Sequence, residues 1–296
     1  MPSIDVCFTP ALLHLYEIES KVVVMIDIFR ASSSICYGFE NGALEIIPVS
    51  SVTACQSYAG KGYLLAAERD GKVVEGFDFG NSPYSYTAEK VAGKHIVLTT
   101  TNGTYAIEHA AAAAEIVIGS FLNITALCDW LTASGRDVLL LCAGWKKKFN
   151  LEDTIFGGAV IEQLQGRFDI GGDSGIAALD LYKLYAKDLN QIIEKSSHSR
   201  RMKHLGIEQD ARFCLNRDTC HQVPVLRNGS LLINQLPANL ALGFNLAQDG
   251  DLPVDTVSLR PAVSTDDDAH LPADIVAPLT VNLRSSTDPD PLALPS

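Results

Sequence analysis

The sequence predicts an α/β fold, a layered arrangement in which a largely parallel or mixed sheet is flanked by helices. Three segments repeat one plan, an apolar strand followed by a short polar loop and then a helix. Their strands carry Val, Ile and Leu in near-continuous runs, as buried strands do. The chain is also large enough for a full core: 296 residues at 47% hydrophobic suit one large domain or two smaller ones.

The first unit is KVVVMIDIF, residues 21–29, leading through Arg30 and Ala31 into SSSICYGFENG, where Gly42 is a helix stop. The second is HIVLTTTNGT, residues 95–104, followed by the alanine-rich YAIEHAAAAA, with a short strand at 116–119 after it. DVLLLCAG, residues 137–144, starts the third; a basic loop WKKKFN and the helix LEDTIFGGAVIEQL follow. Glycine and charge in residues 68–83 predict a hairpin around Asp70-Gly71 and then a loop. Residues 175–196 have helical spacing, residues 196–216 read as two helices broken at Gly206 with the second starting near Glu208, and residues 221–233 as a hairpin turning at Asn228-Gly229.

Composition excludes several function classes. A formal net charge of −12 argues against nucleic acid as a partner. No apolar run approaches the roughly 20 residues that span a bilayer, and MPSIDVCFTP lacks the regions of a secretory signal. Seven scattered cysteines form neither a disulfide framework nor a zinc pattern, so a reducing cytoplasm is expected. Residues 236–296 differ from the rest, with nine aspartates against Arg260 and Arg284, and eight of the thirteen prolines. Such a segment buries too little apolar surface to offset its ordering entropy, so an acidic, largely disordered tail is expected after a folded region at 1–235, as one domain or two subdomains.

Ligands of such sheets bind beyond the carboxyl ends of the strands, where the polar residues of all three units fall. Asp27, Arg30, Ser32, Ser33 and Ser34 combine a carboxylate, a guanidinium and hydroxyls at a helix start, a pattern that suits an anion or a serine cap with Arg30 paired to Asp27. Thr100, Thr101, Asn102, Gly103 and Thr104 repeat the design, with Asn102-Gly103 expected to turn at positive φ and the hydroxyls to face acidic oxygens. Glu68, Asp78, Glu152 and Asp153 lie in neighbouring loops; beside anion cradles such carboxylates suit Mg²⁺, which takes hard oxygen ligands. Lys148 in WKKKF adds attraction for an anion. His198, Arg200, Arg201, Lys203 and His204 read as an exposed basic helix face, Cys142 as a small packed residue, and Gly157-Gly158 as a close helix contact.

Taken together, IDIFRASSSI, ERDGKVVEGFDFGNSP, LTTTNGT, CAGWKKKFNLEDTIFGGAVIE and HLGIEQDARFCLNRDTCHQVPVL closely resemble the 2-phosphosulfolactate phosphatase (ComB) family over residues 4–233. The resemblance implies a ComB-like fold of its own and a Mg²⁺-dependent phosphatase that converts (R)-2-phospho-3-sulfolactate to 3-sulfolactate and phosphate on the route to coenzyme M. The site expectation that follows has three parts. Asp27, Arg30 and Asn102 are expected in catalysis. Ser32, Ser33, Ser34, Thr100, Thr101, Gly103, Thr104 and Lys148 are expected on a small anionic phosphorylated substrate, and some of Asp27, Glu68, Asp78, Glu152 and Asp153 on the metal. A phosphatase for another small phosphorylated acid or sugar, or a non-catalytic binder of anionic metabolites, uses the same residue types; a homo-oligomer is also compatible.

Overall fold

The computed structural model describes residues 1–69 and 71–233; the tail expected at 236–296 and the turn residue Asp70 lie outside the described residues. The chain opens with β1 (Ser3–Cys7) and reaches the first expected unit, β2 (Val22–Ile26) and α1 (Ala31–Glu40). Next come β3 (Glu45–Pro48), α2 (Val52–Gln56), the hairpin of β4 (Leu64–Arg69) and β5 (Lys72–Val73), and the short α3 (Ala88–Val91). The second unit is β6 (His95–Thr99) and α4 (Gly103–His109), followed by β7 (Glu115–Gly119) and α5 (Ile124–Ser134). The third is β8 (Val138–Cys142) and α6 (Leu151–Gln163). Beyond it lie β9 (Asp169–Ile170), α7 (Asp173–Tyr185), α8 (Gln191–Lys195), α9 (Ser197–His204), α10 (Glu208–Cys214), β10 (Pro224–Arg227) and β11 (Ser230–Ile233).

Among the described residues the strands form one mixed sheet, ordered β5-β4-β6-β3-β11-β10-β7-β2-β8-β1-β9. It consists of two parallel groups joined by an antiparallel hairpin, with the short edge strand β5 antiparallel to β4. In one group β2 runs between β7 and β8, with Val22 opposite both Glu115 and Val138. In the other, β6 runs between β3 and β4, with Ile96 opposite both Ile46 and Leu64. The hairpin of β10 and β11 bridges them, pairing Val225 with Val117 and Leu231 with Ile46. Its turn has positive φ at both Asn228 (51°) and Gly229 (85°), the two-residue turn whose twist matches the strands.

The sheet is covered on both faces, so β2 and β8 are buried at every position. Successive side chains point to opposite faces. Val22, Val24 and Ile26 join a core under α5, α6 and α7, while Val23 and Met25 join one with Ile35, Phe39 and Leu98. The near-continuous apolar runs follow from this double burial. Helices α6 and α7 approach closely at Gly158, where an added Cβ would run into the Ala178 carbonyl and lie 2.7 Å from the Tyr182 Cβ. Gly157 faces the sheet instead, and its nearest neighbours on Leu140 and Val6 stand at 3.7 Å, ordinary van der Waals contact.

The two adjacent glycines therefore have opposite tolerances. Gly158→Ala is expected to destabilise the protein by at least about 1–3 kcal/mol through overpacking. Gly157→Ala is expected to be neutral or stabilising by up to about 1 kcal/mol through helix propensity. Urea unfolding of both variants beside the parent checks the pair.

Candidate active site

Four loops converge on a cavity of about 260 Å³ at the carboxyl ends of the strands. The turn after β2 contributes Asp27, Phe29 and Arg30, and the hairpin after β4 contributes Glu68 and Gly71. Asn102 comes from the turn after β6, and Trp145 and Lys146 from the loop after β8. Asn81 adds an amide, and α9 with the residues after it lays His198, Arg201, Met202, Leu205 and Ile207 across the opening. Asp27, Arg30, Glu68 and Asn102 are thus the sequence-predicted residues that line it.

The three serines do something else. Ser32 Oγ accepts from the Asp27 N–H at 3.2 Å, Ser33 Oγ donates to the Ile28 carbonyl at 3.0 Å, and Ser34 Oγ donates to the Asn81 carbonyl at 2.6 Å. All three are fully buried and outside the cavity lining. They fold the Asp27–Arg30 turn back on α1 and fasten Asn81 beside it. Their hydroxyls are spent on backbone, which corrects the expectation that they meet substrate.

The threonine turn is corrected in the same way. Thr100 Oγ1 accepts from the Thr104 N–H at 3.2 Å, and Thr104 Oγ1 donates to the Thr100 carbonyl at 2.9 Å. This reciprocal pair closes the start of α4. Thr101 Oγ1 donates to Glu68 at 3.4 Å, orienting a carboxylate. Gly103 does not supply positive φ; the φ of Asn102 is −121°. Its missing side chain makes room for Asp27, since a Cβ there would lie 3.0 Å from the Asp27 Oδ2.

Of the five expected metal carboxylates, two face the cavity. Asp78 is exposed and accepts from the Leu65 N–H at 2.7 Å, outside the lining. Asp153 is buried and fully occupied: Oδ1 accepts from the Ile28 N–H at 2.9 Å, and Oδ2 from the Gly144 N–H at 3.1 Å and the Asn150 amide at 3.3 Å. Glu152, also buried, holds His198 Nδ1 at 2.9 Å and Ser196 Oγ at 2.8 Å. The remaining pair, Asp27 and Glu68, reaches the cavity. Lys148 is exposed and its backbone pairs with Trp145, whereas Lys146 lines the cavity in its place.

The electrostatics follow from that crowding. Burial is the main cause that pushes the Asp27 carboxyl up to about 6; the charges of Glu68 and Glu152 add to the rise, against His198 and the Ala31 N–H. Asp153 is pushed well above its ordinary value by burial, then by Glu152 and Asp27, against its backbone donors. Burial works to raise Glu152 too, but the hydrogen bond and charge of His198 outweigh it and hold that carboxyl below its usual value. On the cationic side Arg30 is consumed by the protein, paired with buried Asp210 and donating to the Gly71 carbonyl at 3.1 Å. Two buried polar atoms of the lining have no hydrogen-bond partner among the described residues, Asn81 Oδ1 and Arg201 Nη2.

His198, Arg201 and Trp145 line the cavity and were not among the sequence-predicted site residues. The signal was present: His198, Arg201, Met202 and Leu205 recur at three- and four-residue spacing and share one face of a helix. Met202 on that face is buried and His198 and Arg201 are half-buried, while Leu205 at its end is exposed together with Arg200, Lys203 and His204. Trp145 organises the group, with the Arg201 guanidinium 4.1 Å and the Lys146 ammonium 5.3 Å from its ring, and His198 tilted at 5.6 Å.

The family model described as 2-phosphosulpholactate phosphatase matches residues 7–229. The chain belongs to that family. Its members are phosphoric monoester hydrolases, and the match spans every wall of the cavity. A probable 2-phosphosulfolactate phosphatase of Caldanaerobacter subterraneus subsp. tengcongensis is 39% identical over 224 residues, 74% of this chain and 93% of that one. Proteins of the same name from Thermotoga petrophila (39% over 234 residues, 79% and 100%) and Clostridium acetobutylicum (34% over 221 residues, 73% and 94%) are similar to it over the same region. Among the described residues no helix is long and apolar enough to cross a membrane.

Asp27 supplies a pH signature. Its folded value of about 6 exceeds the ordinary 3.8, so between these values the folded chain binds more protons than the unfolded one. Stability on this account falls as pH rises through that window. Asp27→Asn removes the cost. In the presence of a chelator the variant is expected to exceed the parent by up to about 3 kcal/mol above pH 6, with the gap closing toward pH 4. Denaturant unfolding across pH 4 to 8 measures it.

Proposed function

We propose that this cavity is the active site of a Mg²⁺-dependent phosphatase acting on (R)-2-phospho-3-sulfolactate, with 3-sulfolactate and phosphate as products. The observation that carries the reading is the pairing of two kinds of unmet demand in one small cavity. Asp27 and Glu68 bring carboxylates whose charges crowd one another, and Arg201 brings a guanidinium nitrogen with no acceptor. A cation bound with a multiply charged anion satisfies both. Family membership and the names of the relatives support the same substrate.

The donor set fits magnesium. Asp27 and Glu68 offer carboxylate oxygens and the orphaned Asn81 Oδ1 offers a third, neutral oxygen, leaving the other positions to water and substrate, as this ion prefers. When bound, the ion would polarise the phosphoryl oxygens and offset their charge. The chain's own residues supply the rest. Arg30, locked by Asp210 and the Gly71 carbonyl, is a fixed donor wall of the cavity that needs no reorganisation as the phosphoryl group transfers, its charge already balanced by Asp210. Glu152 accepts the Nδ1–H of His198, which sets the imidazole with Nε2 as its other protonation site, so that it can deliver a proton to the departing alkoxide. Phe29, Met202, Leu205 and Ile207 give the cavity apolar walls that strengthen these interactions.

Phosphate release tests the whole reading. The purified chain is expected to hydrolyse 2-phosphosulfolactate with Mg²⁺ and to stop in excess chelator. Glu68→Gln is expected to lower kcat by at least about 100-fold. His198→Gln is expected to lose about 100-fold or more on an alkyl phosphate and far less on 4-nitrophenyl phosphate, whose leaving group needs no proton. Turnover unaffected by chelation rejects the metal, and equal losses on both leaving groups reject His198 as the acid. No release from 2-phosphosulfolactate rejects the substrate.

A further inference from the structure

The cations of the cavity are not equivalent. Arg30 is neutralised by the buried carboxylate of Asp210, so it orients the site more than it attracts a free anion. Arg201 forms no ion pair among the described residues, and its buried Nη2 has no hydrogen-bond partner there. Glu152 is the carboxylate whose charge it feels, yet both oxygens of Glu152 are committed to His198 and Ser196. Burial pulls the Arg201 guanidinium below its ordinary value, as expected for a cation withdrawn from water without a counter-ion. The indole of Trp145 holds the guanidinium flank at 4.1 Å, which fixes its position while leaving the N–H edge to a ligand.

We propose that Arg201, stacked on Trp145 and assisted by Lys146, is the subsite for the sulfonate of the substrate and determines specificity for it. This inference rests on the phosphatase reading above and adds to it which residue distinguishes a sulfonated phosphoester from its unsulfonated analogue. The phosphoryl group has its own demand for a metal held by Asp27, Glu68 and Asn81, and a bare anion gains nothing beside those carboxylates. A sulfonate is a permanent, weakly hydrated anion with three oxygens on one face. The weakly hydrated guanidinium fork can meet two of those oxygens at once. A substrate carboxylate has similar acceptor chemistry, so the test keeps the carboxylate and removes the sulfonate.

Steady-state kinetics of the parent, Arg201→Met and Arg201→Lys are compared on 2-phosphosulfolactate and 2-phospholactate, with thermal melts to establish that each variant is folded. The ratio of kcat/KM values for the two substrates is expected to fall about 10- to 100-fold in Arg201→Met, chiefly through KM for the sulfonated one. Arg201→Lys should recover part of it. Equal losses on both substrates overturn the inference, because Arg201 then serves the phosphate, the carboxylate or the fold. A second readout does not depend on turnover. Binding of 3-sulfolactate, followed by the fluorescence of the two tryptophans Trp130 and Trp145, is expected to weaken at least about tenfold in Arg201→Met, as loss of a charged hydrogen bond implies. Unchanged binding overturns the subsite, and so does binding of lactate as tight as that of 3-sulfolactate. If the parent releases no phosphate from either substrate, the phosphatase reading falls while the binding measurement still decides the role of Arg201.

Discussion

Asp153 holds the site together. Its carboxylate, buried at the first turn of α6, receives the N–H of Ile28 from the turn after β2, the N–H of Gly144 from the loop after β8, and the amide of Asn150. Two strand ends and a helix start are thereby tied to one side chain. The N–H groups involved sit where sheet pairing has ended and water is excluded, so each needs an acceptor. A carboxylate with its several lone pairs can serve three donors where a hydroxyl or amide serves fewer. This arrangement costs electrostatic energy, because Glu152 and Asp27 are close enough to oppose the charge of Asp153.

That cost frames the chemistry. Carboxylates brought together from β4, the turn after β2 and the start of α6 separate by environment into different roles. Asp153 is spent on two backbone N–H groups and the Asn150 amide, Glu152 on His198 and Ser196, and Asp27 and Glu68 line the cavity, Glu68 oriented there by the Gly71 N–H and the Thr101 hydroxyl. The basic groups divide similarly. Arg30 is balanced inside the protein, while Arg201 and Lys146 gather on the Trp145 ring and face the ligand space. A small cavity with negative and positive walls suits a cation and a polyanion arriving together better than it suits either alone.

The strands were legible in the sequence because the sheet is covered on both faces, and KVVVMI and VLLLC leave no ambiguity about burial. Their carboxyl ends located the cavity. The hairpin at Asn228-Gly229 was legible for a local reason, the demand for two positive φ values. Less legible were β3 and β9, which are short and partly exposed, and α5, an apolar helix whose period is masked by burial. Within the site, a hydroxyl's identity does not reveal its direction. Ser32, Ser33, Ser34 and Thr104 look like anion ligands in a string of letters, but Ser32, Ser33 and Thr104 turn onto backbone four or five residues away and Ser34 onto the distant Asn81 carbonyl. Arg30 could not be known to be neutralised, since Asp210 lies 180 residues away. His198 and Arg201 looked like part of an exposed face because their basic neighbours Arg200, Lys203 and His204 are exposed.

A divalent cation held, as proposed, by Asp27, Glu68 and Asn81 would stabilise the ionised form of the buried Asp27 carboxyl. Calorimetric titration of the full chain with Mg²⁺, in two buffers of different ionisation enthalpy, reads both binding and proton release. At pH 6 saturable binding with release of about half a proton from Asp27 is expected, a release that vanishes by pH 8 and in Asp27→Asn. Saturable binding that is unchanged in Asp27→Asn, or no binding in the parent, would contradict it.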